Sequence, residues 1–435
     1  MPDSSTENTD REPPRSPLGY VLVIGPGIVL AATGVGAGDM VAATVAGAKF
    51  GLAVGWACVL GAVLKFTLSE GIARWQLATK SSVVEGWADH LPRIVRHYFL
   101  VYLLVWTLWV GVALMAACGM AAHAVFPALP VSVWAGLHSA TALLFVLSGR
   151  YSWFENTMKV FIGIMFVSIV VGAIAVWPGF AAVGRSLFVP ALPKGSLHYL
   201  LGVVGGVGGT VTLLSYGYWI HEHKWRDARW MRAVRVDLGT AYLLTGFFGA
   251  ALIILASQTL HVQGTVPAKS KAALHMAAML GTTHGTAGKY IFLAGFWGAV
   301  ASSMLGVWQG VPYLFADLVG IMKCADAEAR ERIRGKNSPW YRGYLVFIAV
   351  APLAILLTVG KPVQLNIVYA VIGSFFMPFL AATLLYMNNR STWLGTLRNG
   401  ILANVLLAVT LAFFVCYFAM VLIPKIVRLI GNALT

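Results

Sequence analysis

The chain has 435 residues, of which 59% are hydrophobic and 11% charged, with a mean hydropathy of +0.78. That balance excludes a soluble globular domain and leaves a polytopic helical membrane protein in the lipid bilayer. The net charge of +15 lies in loops between apolar segments, where it reads as a topology signal and gives no reason to expect nucleic acid. Cys58, Cys118 and Cys416 fall in apolar spans and Cys324 in a basic loop, with no CxxC pair, so neither a disulfide framework nor a zinc site is expected.

Residues 1–17 are rich in Pro, Ser, Asp and Glu and read as a disordered cytoplasmic tail. Met1–Ser16 lacks the basic-then-apolar pattern of a cleavable signal, so the first span is expected to stay in the mature chain. Eleven apolar segments follow, near 20–49, 51–77, 98–122, 131–149, 157–178, 198–221, 237–260, 287–320, 343–360, 365–387 and 399–423.

The first of these is interrupted. Gly34, Gly36 and Gly38 alternate inside it, each costing about 1 kcal/mol in a helix interior, and Asp39 adds a carboxylate at bilayer depth. Backbone unwinds in a membrane only where protein or a wet cavity satisfies it. The stretch Ala32–Met40 therefore predicts a discontinuous helix, with Asp39 where the second half begins. The sixth segment carries a matching interruption, Gly202–Thr210, five spans later. Two interrupted helices at corresponding places in two halves point to an inverted-repeat transporter with its site between them. Glycines placed only for close helix packing are the alternative.

Orientation follows from the loops. With the N-terminus inside, the inner loops collect the runs around Lys224–Arg235 and Arg330–Arg342, which places the C-terminus outside. In the outer loop 261–288, Lys269 to Leu280 predicts a short interfacial helix, or a plain connector.

Several residues are candidates for chemistry. Asp39, joined by carbonyls freed around Thr33 to Gly36 and at Gly209 and by the Thr212 hydroxyl, would form an all-oxygen shell. Such a shell suits a hard cation, Mg²⁺, Ca²⁺ or Mn²⁺. Asp39 serving only as a helix N-cap is the other reading. Lys65, deep in the second span, would neutralise Asp39, take the place of a coupling cation, release a proton, or snorkel to the interface. Glu70 faces water or Arg74, or belongs to the coupling pathway. His221, Glu222 and His223 read as the edge of a loop, with a gate as the other view, because i and i+2 do not face each other on a helix. Tyr216, Tyr218 and Trp219 read as interfacial aromatics, with Tyr216, and Ser215 beside it, as possible lining of the inner pathway. Asn366, Ser374, Ser302 and Ser303 are expected to bond neighbouring helices. No P-loop, dinucleotide motif or nucleophile–base pair is present, so no cofactor, ATP-driven step or enzymatic activity is expected.

The chain resembles the Nramp family of divalent-metal transporters. The resemblance is carried by Gly25-Pro26-Gly27, Ala46-Gly47-Ala48-Lys49-Phe50-Gly51 with Trp56, Gly208-Gly209-Thr210-Val211, Ser302-Ser303 with Gly306, and Met377-Pro378-Phe379. It implies an all-α LeuT-type fold: two inverted five-helix repeats, here 18–180 and 196–388, plus an eleventh helix at 399–423, in one transporter domain. It also implies cation import across a plasma membrane of bacterial type. The family's Asp-Pro-Gly-Asn falls on Gly36-Ala37-Gly38-Asp39, and its Met-Pro-His with the next polar residue on Thr212-Leu213-Leu214-Ser215. Its tenth-span glutamine falls on Ala370, and the third span, Tyr98 to Ala122, has none of the family's carboxylates. The chain therefore resembles a divergent branch with an altered ion site. The expected function is secondary transport of a divalent cation; the rivals are transport of a small organic or zwitterionic solute, and a non-transporting membrane receptor.

Overall fold

Gly25-Pro26-Gly27 starts the first long helical stretch as it should, with Pro at the first helical position, where its missing N–H costs nothing. The computed structural model describes residues 12–149, 151–206, 209–264, 272–324, 326–359, 369, 372, 373 and 375–422. Among them there is no strand. A short helix α1 (Pro17–Leu22) precedes α2 (Pro26–Gly34) and α3 (Ala37–Phe50), which are the two halves of the first span. Then come α4 (Trp56–Thr79), α5 (Val83–His90), α6 (Arg93–Val125), α7 (Val131–Leu147), α8 (Tyr151–Ala175) and α9 (Phe180–Phe188). The sixth span consists of α10 (Leu197–Gly206), a 3₁₀ turn at Val211–Leu214, and α11 (Ser215–Glu222). The remainder is α12 (Met231–Ala256), α13 (Ala272–Lys323), α14 (Ala327–Arg334), α15 (Pro339–Val359), α16 (Phe376–Met387), α17 (Ser391–Leu394) and α18 (Ile401–Tyr417).

Among the described residues seven helices are long and apolar enough to cross a membrane. The broken first and sixth spans and the shorter α7 and α16 supply the other crossings expected from the sequence. The broken helices lie at the centre. α12 packs on α2, α3 and α4, while α13 packs on α2, α6, α8 and α15. The 3₁₀ turn of the sixth span lies against α2, and α10 lies along α3. Both interruptions therefore face each other inside a cage of continuous helices.

Three expectations change. The predicted short helix forms the start of α13 but is not interfacial, because Met276, Ala277 and Leu280 are buried. After it Gly285 has φ +69° and a Cβ at Gly281 would stand 3.4 Å from Lys289 Cβ, so the chain folds back before the long span. Lys269 itself lies outside the described residues. Tyr216, Tyr218 and Trp219 are buried, not interfacial, because their polar ends meet Asp237, Asp317 and Gln309 inside the bundle. Three connectors are helical where none was predicted: α5, α9 and α14. α5 is launched by a capping box in which Ser82 and Glu85 satisfy each other's backbone N–H groups. Asn366, Ala370 and Ser374 lie outside the described residues, as do 1–11 and 423–435.

Candidate functional site

The first break is narrow. α2 ends at Gly34 and α3 begins at Ala37, leaving Val35 and Gly36 out of the helices. Two serines of α13 stitch the open end of α2: Ser302 Oγ donates to Ala32 O at 2.9 Å and Ser303 Oγ to Thr33 O at 2.7 Å. These are the helix-to-helix bonds expected of the pair, and here they satisfy carbonyls that a helix terminus leaves open. Thr33 Oγ1 donates to Val29 O at 2.6 Å. Its side chain fills the hollow at Gly306, where a Cβ would stand 1.8 Å from Thr33 Oγ1. The backbone of Asp39 lies in the first turn of α3; its side chain is outside the described set.

At the second break, Gly209 has φ +83°, a left-handed conformation that side chains other than glycine rarely take. Lys65 answers it from α4. Its side chain is buried, so it does not snorkel. Its ammonium donates to Gly205 O at 3.0 Å and also to Gly209 O. An ammonium thus occupies carbonyls of the interrupted helix.

Between the breaks lies a cavity of about 10 Å³, lined by Thr33, Gly34, Gly36, Gly38, Gly209 and Thr212, with Ala113, Leu114, Ser303, Val307 and Tyr369 completing it. Four of the five residues predicted to hold substrate (Thr33, Gly36, Gly209 and Thr212) therefore converge on one small space. On its far side Trp106 Nε1 donates to Thr210 Oγ1 at 3.2 Å, and the Trp106 and Tyr369 rings stand 6.4 Å apart. Among the described residues no group of three His, Cys, Asp or Glu side chains could hold a metal. A cation here would meet carbonyl and hydroxyl oxygens.

The other candidates sit elsewhere. Glu70 is buried and pairs with both Arg74 and Arg235, the latter at 3.1 Å, tying α4 to α12. Ser215 Oγ is buried against Gly310 and does not line the cavity. Tyr216 does not line it either. Glu222 pairs with Lys336 at 3.0 Å and accepts from Tyr313, while His221 lies 3.9 Å from Glu331; this is a loop-edge network and not a metal triplet.

Two buried acids were overlooked in the sequence, although an acid inside an apolar span is a functional signal. Asp237 of α12 accepts from Gly25 N at 3.1 Å, Gly27 N at 2.6 Å and Tyr216 Oη at 2.8 Å. Asp317 of α13 accepts from Ser82 Oγ at 2.5 Å and Tyr218 Oη at 2.6 Å, with Arg334 at 3.8 Å. Asp317 joins α5, α11, α13 and α14 at the end of the bundle that carries the basic loops. Next to it, burial and, secondly, the charge of Asp317 hold the Glu85 carboxyl above the usual carboxylate range.

A family model described as natural resistance-associated macrophage protein-like, Nramp, matches residues 27–424. A divalent metal cation transporter MntH of Klebsiella pneumoniae subsp. pneumoniae is 23% identical over 425 residues, covering 92% of each chain. The MntH of Yersinia pestis is 24% identical over 324 residues, 68% of this chain and 75% of that one. Among solved structures, a mutant of the Eremococcus coleocola manganese transporter superposes with a TM-score of 0.74 at 14% identity, covering 94% of this chain and 87% of that one. MhsT in complex with L-phenylalanine superposes with a TM-score of 0.54 at 13% identity, covering 93% of this chain and 100% of that one. The fold is accordingly of the LeuT type, two inverted five-helix repeats followed by an eleventh helix.

Proposed function

Because the chain belongs to the Nramp family, we propose that it is a secondary transporter of divalent metal cations and not an enzyme. The observation that carries the reading is the cavity of about 10 Å³ between the two breaks, lined by Thr33, Gly36, Gly209 and Thr212. It has room for an ion or one water, which favours an ion over an organic solute. Asp39 supplies the charge, and Gly36, Thr33 and Thr212 supply neutral oxygens, while Gly209, whose carbonyl is held by Lys65, lines the space. Such a set prefers Mg²⁺, Ca²⁺ or Mn²⁺ to softer metals. The relatives are named for divalent metal cations and for manganese, which makes Mn²⁺ the first ion to try.

Alternating access moves the bundle that holds the two breaks against its scaffold. The excess of Lys and Arg in the loops at the Asp317 end supports a reading with that end, and the N-terminus, in the cytoplasm. The third span, Tyr98 to Ala122, has no carboxylate, so the ion's own electrochemical gradient drives uptake. The test is Mn²⁺ and Mg²⁺ flux into proteoliposomes with the internal pH followed alongside. Flux without acidification supports the reading. Acidification in step with flux contradicts the coupling, and no flux of any divalent ion contradicts the function.

A further inference from the structure

The Lys65 ammonium sits where the chain has just lost a helix. α10 ends at Gly206, and the carbonyls of a helix's last turn are short of intrahelical donors and carry the negative end of its dipole. That end attracts a cation. Lys65 Nζ donates to Gly205 O and Gly209 O on either side of the interruption, with its side chain 1% exposed. A compact ammonium with three donors suits a cluster of carbonyls better than a planar guanidinium does. The oxygens that hold it are also the ligand type a free hard monovalent ion would use.

The position is close to the transport cavity without being the same place. Gly209 lines that cavity while its carbonyl accepts from Lys65. Glu70, further along α4, is committed to Arg74 and Arg235 and does not compete.

We propose that the carbonyls of Gly205 and Gly209 form a monovalent-cation seat whose native occupant is the chain's own Lys65 ammonium. The tethered charge replaces a free co-ion, holds the second break in its open-helix shape, and is an obligatory part of the site. Deleting it converts the protein into one that depends on an external monovalent cation of the same size and charge. The consequence for transport rests on the reading above, because a fixed positive charge beside the cavity also weakens binding of a dication. The seat itself is independent of the cargo.

The experiment uses full-length purified protein without divalent ions and reads thermal stability with and without n-propylammonium chloride, the part of the side chain that Lys65→Ala removes. Lys65→Ala is expected to melt several degrees lower than wild type and to regain most of that loss as propylammonium is raised, along a saturating curve. Lys65→Met, which fills the stem but brings no charge, is expected to melt lower and to regain nothing; wild type should not respond. Should Lys65→Ala fold only in the presence of the amine, its loss on dialysis is the supporting result. A Lys65→Met protein as stable as wild type overturns the proposal. So does a Lys65→Ala protein that responds no more than wild type, or one that fails to fold even with the amine. A separate Mn²⁺ isotherm on wild type reports on the cargo, so a failed amine rescue and a failed metal reading are told apart.

Discussion

Asp237 grips the first broken helix at its foot: its Oδ2 accepts from Gly27 N at 2.6 Å, and a Cβ on Gly27 would stand 2.5 Å from Asp237 O. The same oxygen accepts from Tyr216 on α11 at 2.8 Å. One carboxylate therefore ties the foot of the first broken helix to the lower half of the second, through α12. This contact explains why the chain starts its first span with Gly25-Pro26-Gly27.

Breaking that tie should be costly. Asp237→Asn turns an amide N–H toward backbone donors and is expected to lose about 1.5–3 kcal/mol, the range for hydrogen bonds to a charged group. Tyr216→Phe removes one of the three bonds and should lose about 1 kcal/mol. The double variant should lose less than the sum, since both act on one network. Denaturant unfolding in detergent reads all three, and an Asp237→Asn protein as stable as wild type contradicts the tie.

The first break has its own lock. A Cβ at Gly306 would meet Thr33 Oγ1 at 1.8 Å and Thr33 Cβ at 2.6 Å. Gly306→Ala should therefore push the last turn of α2 off α13, costing about 1–3 kcal/mol and weakening substrate binding. Adding Thr33→Ala removes the 1.8 Å contact but keeps the Thr33 Cβ, 2.6 Å from the new methyl, so it should restore stability only in part, and not binding if Thr33 also serves the ion. Restored binding in the double variant would remove Thr33 from the ligand set.

A pH dependence follows from Glu85, whose carboxyl is held above its usual range by burial and by Asp317. A carboxyl with a folded pKa above its unfolded value, about 4.3, favours folding while protonated. That contribution is complete below the unfolded value and is lost as pH rises through the folded one. Glu85→Gln keeps the capping-box geometry and has no such proton to lose. The melting temperature of the variant relative to wild type should rise from acid toward neutral pH. A difference that stays flat or falls over that interval contradicts the assignment.

Asp317 joins Ser82 and Tyr218 at the basic end, and in an alternating-access cycle these are the bonds that would hold that end closed. Removing both hydroxyls with Ser82→Ala and Tyr218→Phe leaves a buried carboxylate short of donors, which costs about 1–3 kcal/mol in the closed arrangement only. The population open at that end should grow. Alkylation of a cysteine introduced at Thr212, with the native thiols replaced, should quicken several-fold when reagent reaches it from the basic side. An unchanged rate would show that these bonds do not hold the closure.

How far the sequence reached follows from what kind of signal each feature leaves. The two breaks were legible because alternating glycines inside an apolar span have few structural uses, and they fall at Val35–Gly36 and after Gly206. The convergence of Thr33, Gly36, Gly209 and Thr212 followed from the repeat symmetry. The partners did not. Asp237 and Asp317 sit within predicted spans, but their importance depends on donors 210 and 235 positions away in the chain, Gly27 and Ser82, and no local pattern records such a pairing. Tyr216 and Tyr218 were misplaced for the same reason: an aromatic with a polar tip at the end of a span suits the interface, unless a buried acid waits for it. For Lys65 the sequence left its alternatives open; in the structure its ammonium meets the carbonyls of the second break.

The most direct test of the central claim is Mn²⁺ binding to purified wild type and Asp39→Asn, measured by calorimetry. Asn keeps the shape and much of the capping ability of Asp while removing the charge. Wild type should bind one ion, and Asp39→Asn should bind it more than tenfold more weakly, a loss of at least about 1.4 kcal/mol, with melting behaviour preserved. An isotherm unchanged by Asp39→Asn, or no saturable binding of Mn²⁺, Mg²⁺ or Ca²⁺ to wild type, would contradict a divalent-cation site between the two breaks.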